Sequence, residues 1–318
     1  MNTDVANAIP RLVESGILPP EKASVFLRDA RRELVSVRLE LRFLLYLGVL
    51  LMTGGVGVLV KENLDRIGPV AIAVAIGLAA ALALGWVWRT APPFSRGEVA
   101  SPHFALDYVL LLGVLLAGAD LAYIEVQFTA LGAAWPWHLL IVSLLAAAAA
   151  VRFDSRVVFS LALASFAAWR GVAVSLFGAD LWMGGTEAVR WNAIGCGVLF
   201  VLLGFALKRT GKKAHFEPVA VHLGWLLILG GLISGLGGEG GFLYASALLL
   251  VGGGLAAGAY RFRRFPLFAF GVLAGYVGLS RFVVEVGEEM LSCFWFFSTA
   301  LLVILGLVAA QRRMKEPL

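Results

Sequence analysis

Charge is scarce in this chain: Asp, Glu, Lys and Arg make up 15% of its 318 residues, where a water-soluble domain carries about a quarter. With 60% apolar residues and a mean hydropathy of +0.88, that shortage excludes an ordinary soluble fold and predicts a membrane protein. Cysteine is scarcer still. Cys196 and Cys293 have neither metal-ligand spacing nor the density of a disulfide framework. Both fall near the start of an apolar run, where a free thiol behaves as a small buried hydrophobe; a disulfide between their two spans is the alternative. The four histidines, His103, His138, His215 and His222, are too dispersed to suggest a metal cluster. A phosphate loop, a His-Glu-x-x-His pair and a Gly-x-Ser-x-Gly elbow are all missing. The expectation is therefore no enzyme, no catalytic residue, no metal and no cofactor. No basic domain stands apart from the apolar runs, so the net charge of +5 is not read as a nucleic-acid signature. Residues 1–42 carry charge throughout and lack the apolar core of a cleavable signal.

What the chain has in abundance is apolar length. Ten runs, 43–60, 67–88, 104–124, 135–151, 157–177, 191–207, 218–236, 242–260, 265–284 and 290–310, are each near the length that crosses a bilayer, the fourth being the shortest. They predict an all-α polytopic integral membrane protein of ten transmembrane helices spanning 42–318, behind a helical preface over 1–41. In that preface Phe26, Ala30, Leu34, Val37 and Leu41 make one apolar stripe among arginines. Such a helix can lie on the inner leaflet, the favoured reading, or pack on the cytoplasmic loops.

The connections support the count. Of the 26 Lys and Arg, 21 fall before the first run, after the last, or on every second connection, whereas Lys61, Arg66 and Arg190 alone occupy the other face. By the positive-inside rule both termini are cytoplasmic; the expected location is the cytoplasmic (inner) membrane of a bacterium.

The two remaining arginines lie inside apolar runs. Val151 to Arg170 reads VRFDSRVVFSLALASFAAWR and Tyr260 to Arg281 reads YRFRRFPLFAFGVLAGYVGLSR. Each is a basic Arg-Phe corner, then an apolar stretch, then one arginine. The offsets are 109 residues from Arg152 to Arg261, 111 from Arg170 to Arg281, and 112 from His103 to His215. Near-constant offsets predict that spans two to five are repeated as spans six to nine. A four-span unit would repeat in one orientation, about an axis along the membrane normal. Three Gly-x-x-x-Gly pairs, Gly231 with Gly235, Gly254 with Gly258 and Gly271 with Gly275, are read as close helix packing within the chain, with dimerisation as the alternative; the oligomeric state stays open.

The segment LLYLGVLLMTGGVGVLVKENLDRIGPVAIAVAIGLAAAL, preceded by LVESGILPPEKASVFLR, resembles the bacterial membrane proteins grouped as domain of unknown function 2157. The resemblance rests on Gly16-Ile17 and Glu21 in the preface, on Gly54, Gly55 and Gly57 in the first span, on Asn63 after it, and on Tyr123 and Gln127 around the third. Lys61-Glu62 before Asn63 and Leu64 after it depart from the family pattern. The resemblance implies a short cytoplasmic preface and a multi-pass membrane domain, and brings no catalytic residue.

Candidate site residues are the polar groups in the outer thirds of the spans: Asp120, Glu125, Arg170, Arg281 and Glu285. Charges at that depth pair, snorkel or line a wet cavity. Glu285 is one turn from Arg281 and can pair with it locally. Arg170 has no nearby acid on its own helix, and its simplest partners are Asp120 or Glu125. Two functions remain open. One is binding or transport of a small anionic or amphiphilic ligand through an outward-facing polar cavity. The other is a non-transporting membrane scaffold or sensor, in contact with lipid, whose arginines form structural ion pairs.

Overall fold

The computed structural model describes residues 38–99, 105–171, 187–238, 240–286 and 289–315, with isolated positions before Arg38. Among the described residues the regular structure is entirely helical: α1 (Arg38–Ile67), α2 (Pro69–Thr90), α3 (Ala105–Phe128), α4 (Trp137–Phe153), α5 (Arg156–Trp169), α6 (Glu187–Thr210), α7 (Glu217–Ser234), α8 (Gly241–Arg261), α9 (Phe265–Val286) and α10 (Glu289–Lys315), with single 3-10 turns at Gly132–Ala134 and Ala214–Phe216. Nine of the ten expected apolar runs fall in one of these helices to within two residues, and the fifth, 157–177, overlaps α5 only as far as Trp169, its residues 172–177 lying outside the described residues. The preface expected over 1–41 lies almost wholly outside the described residues.

Among the described residues six helices, α2, α3, α6, α7 with the turn before it, α8 and α9, are long and apolar enough to cross a membrane. α4 and α5 are apolar but have 17 and 14 residues, about 25 and 21 Å at 1.5 Å per residue, against roughly 30 Å of hydrocarbon. The shortness of α5 corrects an expectation. Its run was to continue to residue 177 with Arg170 inside; instead the helix ends at Trp169 and Arg170 is its C-cap. Gly171 is the cause: at φ 81° it takes the left-handed conformation that stops a helix, its N–H bonding Ala168 O at 2.8 Å.

Residues 1–56 and 57–318 form two compact units. In the first, the opening turns of α1 expose Phe43, Leu44, Leu50 and Leu51, and Thr53 Oγ1 donates back to Val49 O at 2.8 Å. In the second, successive helices pair as hairpins: α2 with α3, α4 with α5, α6 with α7 and α8 with α9. Short corners make the partners antiparallel. At the α4–α5 corner Asp154 is left-handed (φ 60°), a conformation Asp tolerates, and Ser155 Oγ then caps α5 by accepting from Val158 N. At the α8–α9 corner Arg263 is left-handed in the same way, at φ 53°.

Phe216, Leu106, Leu110 and Leu248 fill the interior, but the outer faces of the hairpins are apolar as well. Small residues such as Ala80, Ala146, Ala150, Ala162, Ala220 and Ala245 are buried, while Leu78, Leu82, Leu144, Leu202, Leu243 and Leu250 are exposed. In water so much outward leucine would be an interaction surface; in lipid it is the solvated face, and small residues let backbones approach. The approach is closest where glycine meets glycine. A Cβ on Gly197 of α6 would lie 2.5 Å from Gly224 O of α7, and one on Gly271 of α9 would lie 2.6 Å from Gly252 O of α8. Of the three Gly-x-x-x-Gly pairs, Gly231 packs on Ile194, Gly235 on Tyr244 and Gly271 on α8, but Cβ atoms at Gly254, Gly258 and Gly275 would meet open space.

Candidate functional site

Polar side chains gather at the two ends of the hairpins. At the end carrying the basic corners, four connections are bonded to one another. Lys213 Nζ, from the α6–α7 connection, lies 2.6 Å from Asp154 Oδ1 of the α4–α5 corner, and both side chains are less than a tenth exposed. His215 Nε2 is 3.2 Å from the same oxygen, without the alignment of a hydrogen bond. Lys213 also donates its backbone N–H to Arg96 O in the α2–α3 connection at 2.8 Å, with its ammonium 4.9 Å from the Phe94 ring centre. Arg152 donates to Pro92 O at 3.0 Å from between the rings of Trp88 and Phe153. Arg264 of the α8–α9 corner pairs with Glu217 at 2.6 Å. Arg156 and Glu98 form a pair at 2.8 Å that is more than half exposed.

The stabilities of these pairs differ with burial. The exposed Arg156–Glu98 pair contributes about 0–1 kcal/mol. Removing one partner of the buried Lys213–Asp154 pair strands the other charge and costs about 3–5 kcal/mol.

At the opposite end the expected site residues are not drawn into one cluster. Arg170 is exposed; its Nη2 donates to Asn192 Oδ1 at 2.8 Å, and Asn192 Nδ2 donates back to Arg170 O at 3.0 Å. Its partner is thus an amide on α6 rather than Asp120 or Glu125. Glu125 instead accepts from Leu131 N at 2.8 Å and holds the turn after α3. Asp120 sits at the α2–α3 interface, where a Cβ on Gly77 would lie 2.9 Å from Oδ2. Asp120 Oδ1 and, one turn on, Tyr123 OH are buried without a hydrogen-bond partner among the described residues. Arg281 Nε donates to Leu236 O at 3.1 Å, and its guanidinium lies 5.7 Å from the Phe242 ring centre. The side chain of Glu285, its expected local partner, lies outside the described residues.

Two arrangements escaped sequence reasoning. Arg190, read only as one of three cations on the sparse face, is half-buried and joins three helices. It donates to Ser234 Oγ at 3.4 Å, Ser234 O at 3.2 Å and Tyr244 OH at 3.1 Å. Its guanidinium also lies 4.7 Å from the Tyr244 ring centre. Asp154 was passed over as part of a basic corner; an acid held between Arg152 and Arg156 was the available signal.

The third feature is an open groove of about 810 Å³ between the α6–α7 and α8–α9 hairpins. Trp225, Leu250 and Leu255 belong to its apolar walls, Gly254 and Gly258 line it, and Lys208, Glu217 and Arg264 stand at the basic end. Cys196 is a free buried thiol. Among the described residues no group of three or more His, Cys, Asp or Glu is placed to hold a metal.

Apolar helices with lipid-suited outer faces, glycine-mediated hairpins and polar ends define a helical membrane protein with several apolar helices. Residues 10–159 match the family model described as Predicted membrane protein (DUF2157), the family that the first half resembles. No match is found among curated proteins or among solved structures.

Proposed function

We propose that the chain crosses a bacterial inner membrane ten times with both termini cytoplasmic, and that it is a non-transporting scaffold whose polar groups in and beside the spans hold helices together. The observation that carries this reading is Arg190, whose guanidinium reaches three acceptors on α7 and α8. Spending its donors on helix ends suits a structural role and leaves little for a passing solute. The ten-crossing topology is supported by the bonding of the four basic connections to one another, as alternate crossings require. The parallel repeat of spans two to five as six to nine is supported by the order of the hairpins and by left-handed Asp154 and Arg263 at equivalent corners.

A second reading, an outward-facing polar cavity that takes a small anionic or amphiphilic ligand, is favoured by Asp120 and Tyr123, whose unpartnered polar atoms lie one turn apart on α3. Thermal melts of the purified chain separate the two. For a scaffold, Arg190→Met lowers the melting temperature by the same amount with and without added anionic lipids or small carboxylates. Unchanged melting together with lost ligand stabilisation would replace the scaffold by the binding reading.

A further inference from the structure

The groove between the α6–α7 and α8–α9 hairpins has a shape that neither hairpin needs for its own packing. Gly254 and Gly258 line it with Leu250 and Phe262 on the same helix, and a Cβ at either glycine would meet nothing within 4 Å. α8 meets α9 instead through Gly252 and Ala256, which a Cβ on Gly271 would clash with. The second glycine pair therefore hollows a surface instead of joining two helices. The floor is a packed apolar cluster of Val221, Ala259 and Leu267.

Its length and polarity are those of one leaflet. From Leu250 to Phe262 the groove follows α8 for about 18 Å at 1.5 Å per residue, slightly more than half of a hydrocarbon core roughly 30 Å thick. It runs from the middle of α8 to the basic end. There Arg264 is held by Glu217 at 2.6 Å, while Lys208 is exposed and makes no ion pair among the described residues. Arg209 in the last turn of α6, Lys212 on the α6–α7 connection and Arg261 at the end of α8 add to the basic end. A volume of about 810 Å³ falls within the range of sites that enclose drug-sized molecules, about 300–1,000 Å³.

From this geometry we infer that the groove holds an anionic phospholipid of the leaflet on the basic side. An acyl chain lies over Gly254 and Gly258, and the phosphate sits at Lys208 and the free edge of Arg264. A second copy of the chain fits less well. A two-fold contact through this face sets each surface against itself, bringing the Lys208 ends together without acids to match them. The inference goes beyond the scaffold reading and does not depend on it, since Lys208, Gly254 and Gly258 are remote from Arg190 in the chain's hydrogen bonding.

The test is native mass spectrometry of the full chain in detergent, titrated with phosphatidylglycerol or phosphatidylcholine, with melting in phosphatidylcholine alone as the folding control. The unaltered chain retains one phosphatidylglycerol in preference to phosphatidylcholine. Gly254→Leu and Gly258→Leu, which fill the groove, remove that adduct. Lys208→Gln weakens phosphatidylglycerol about five-fold, the effect of roughly one basic residue at an anionic headgroup, and leaves phosphatidylcholine unchanged. Being at an exposed position, it carries the test by itself where the leucine variants fail to fold. An adduct of equal strength in Lys208→Gln overturns the inference. So does a dimer in the unaltered chain that Gly258→Leu disperses without any change in lipid retention, which would give the groove to a second copy.

Discussion

Lys213 Nζ and Asp154 Oδ1 lie 2.6 Å apart across 59 residues of chain, each side chain almost fully withdrawn from solvent. The pair joins the corner of one hairpin to the connection of another, and Lys213 reaches a third connection through its own backbone. Its energetic signature is asymmetric. Lys213→Met leaves Asp154 without its ammonium partner, beside His215, and lowers stability by about 3–5 kcal/mol, whereas adding Asp154→Leu restores most of the loss. Melting of the two single variants and the double variant, analysed as a cycle, measures the coupling; additive losses would remove the pair from its role as a tie.

Glycine substitutions sort by position. Gly197→Ala places a methyl group 2.5 Å from Gly224 O and forces α6 and α7 apart, costing about 1–3 kcal/mol as overpacking. Gly253→Ala meets nothing within 4 Å and is neutral or stabilising by up to about 1 kcal/mol through helix propensity. Denaturation of the two purified variants in one detergent compares them directly.

Arg190 and Arg170, at the same end of the hairpins, differ in consequence. Arg190→Met strands Ser234 and Tyr244, and Arg170→Met releases the half-buried Asn192. The first costs about 1–3 kcal/mol, as for unsatisfied buried partners, and the second less than about 1 kcal/mol. Equal losses would show that Arg170 is more confined than its exposed position at the end of α5 implies.

Topology has its own check. Reporter fusions after Glu239 and after Arg264 flank α8, and a crossing α8 puts the reporters on opposite faces. Activity of a cytoplasmic reporter at both positions would reduce the number of crossings and reverse everything after α7.

Helix positions were legible in the sequence because lipid imposes a length rule on apolar runs, and Gly241–Arg261 or Phe265–Val286 differs from its expected run by only a few residues at most. Side-chain partners were not. Composition cannot show that Gly171 turns left-handed and ends α5 before Arg170, because glycine is equally common inside these helices. Nor does Gly-x-x-x-Gly spacing tell Gly271, pressed on Gly252, from Gly254, facing a groove; that depends on which side of α8 meets α9. Arg190 looked like an ordinary loop cation because Ser234 and Tyr244, its partners, are 44 and 54 residues away.

The tie between Asp154 and Lys213 also sets an order of events during synthesis. Asp154 is made 59 residues before its cation, an interval of about 3–12 s at ordinary elongation rates of roughly 5–20 residues per second. Throughout that interval the corner of α4 and α5 carries an acid without its lysine, and a chain interrupted before Lys213 keeps it so. The finished protein hides this carboxylate, so burial of the α4–α5 corner waits on the α6–α7 connection.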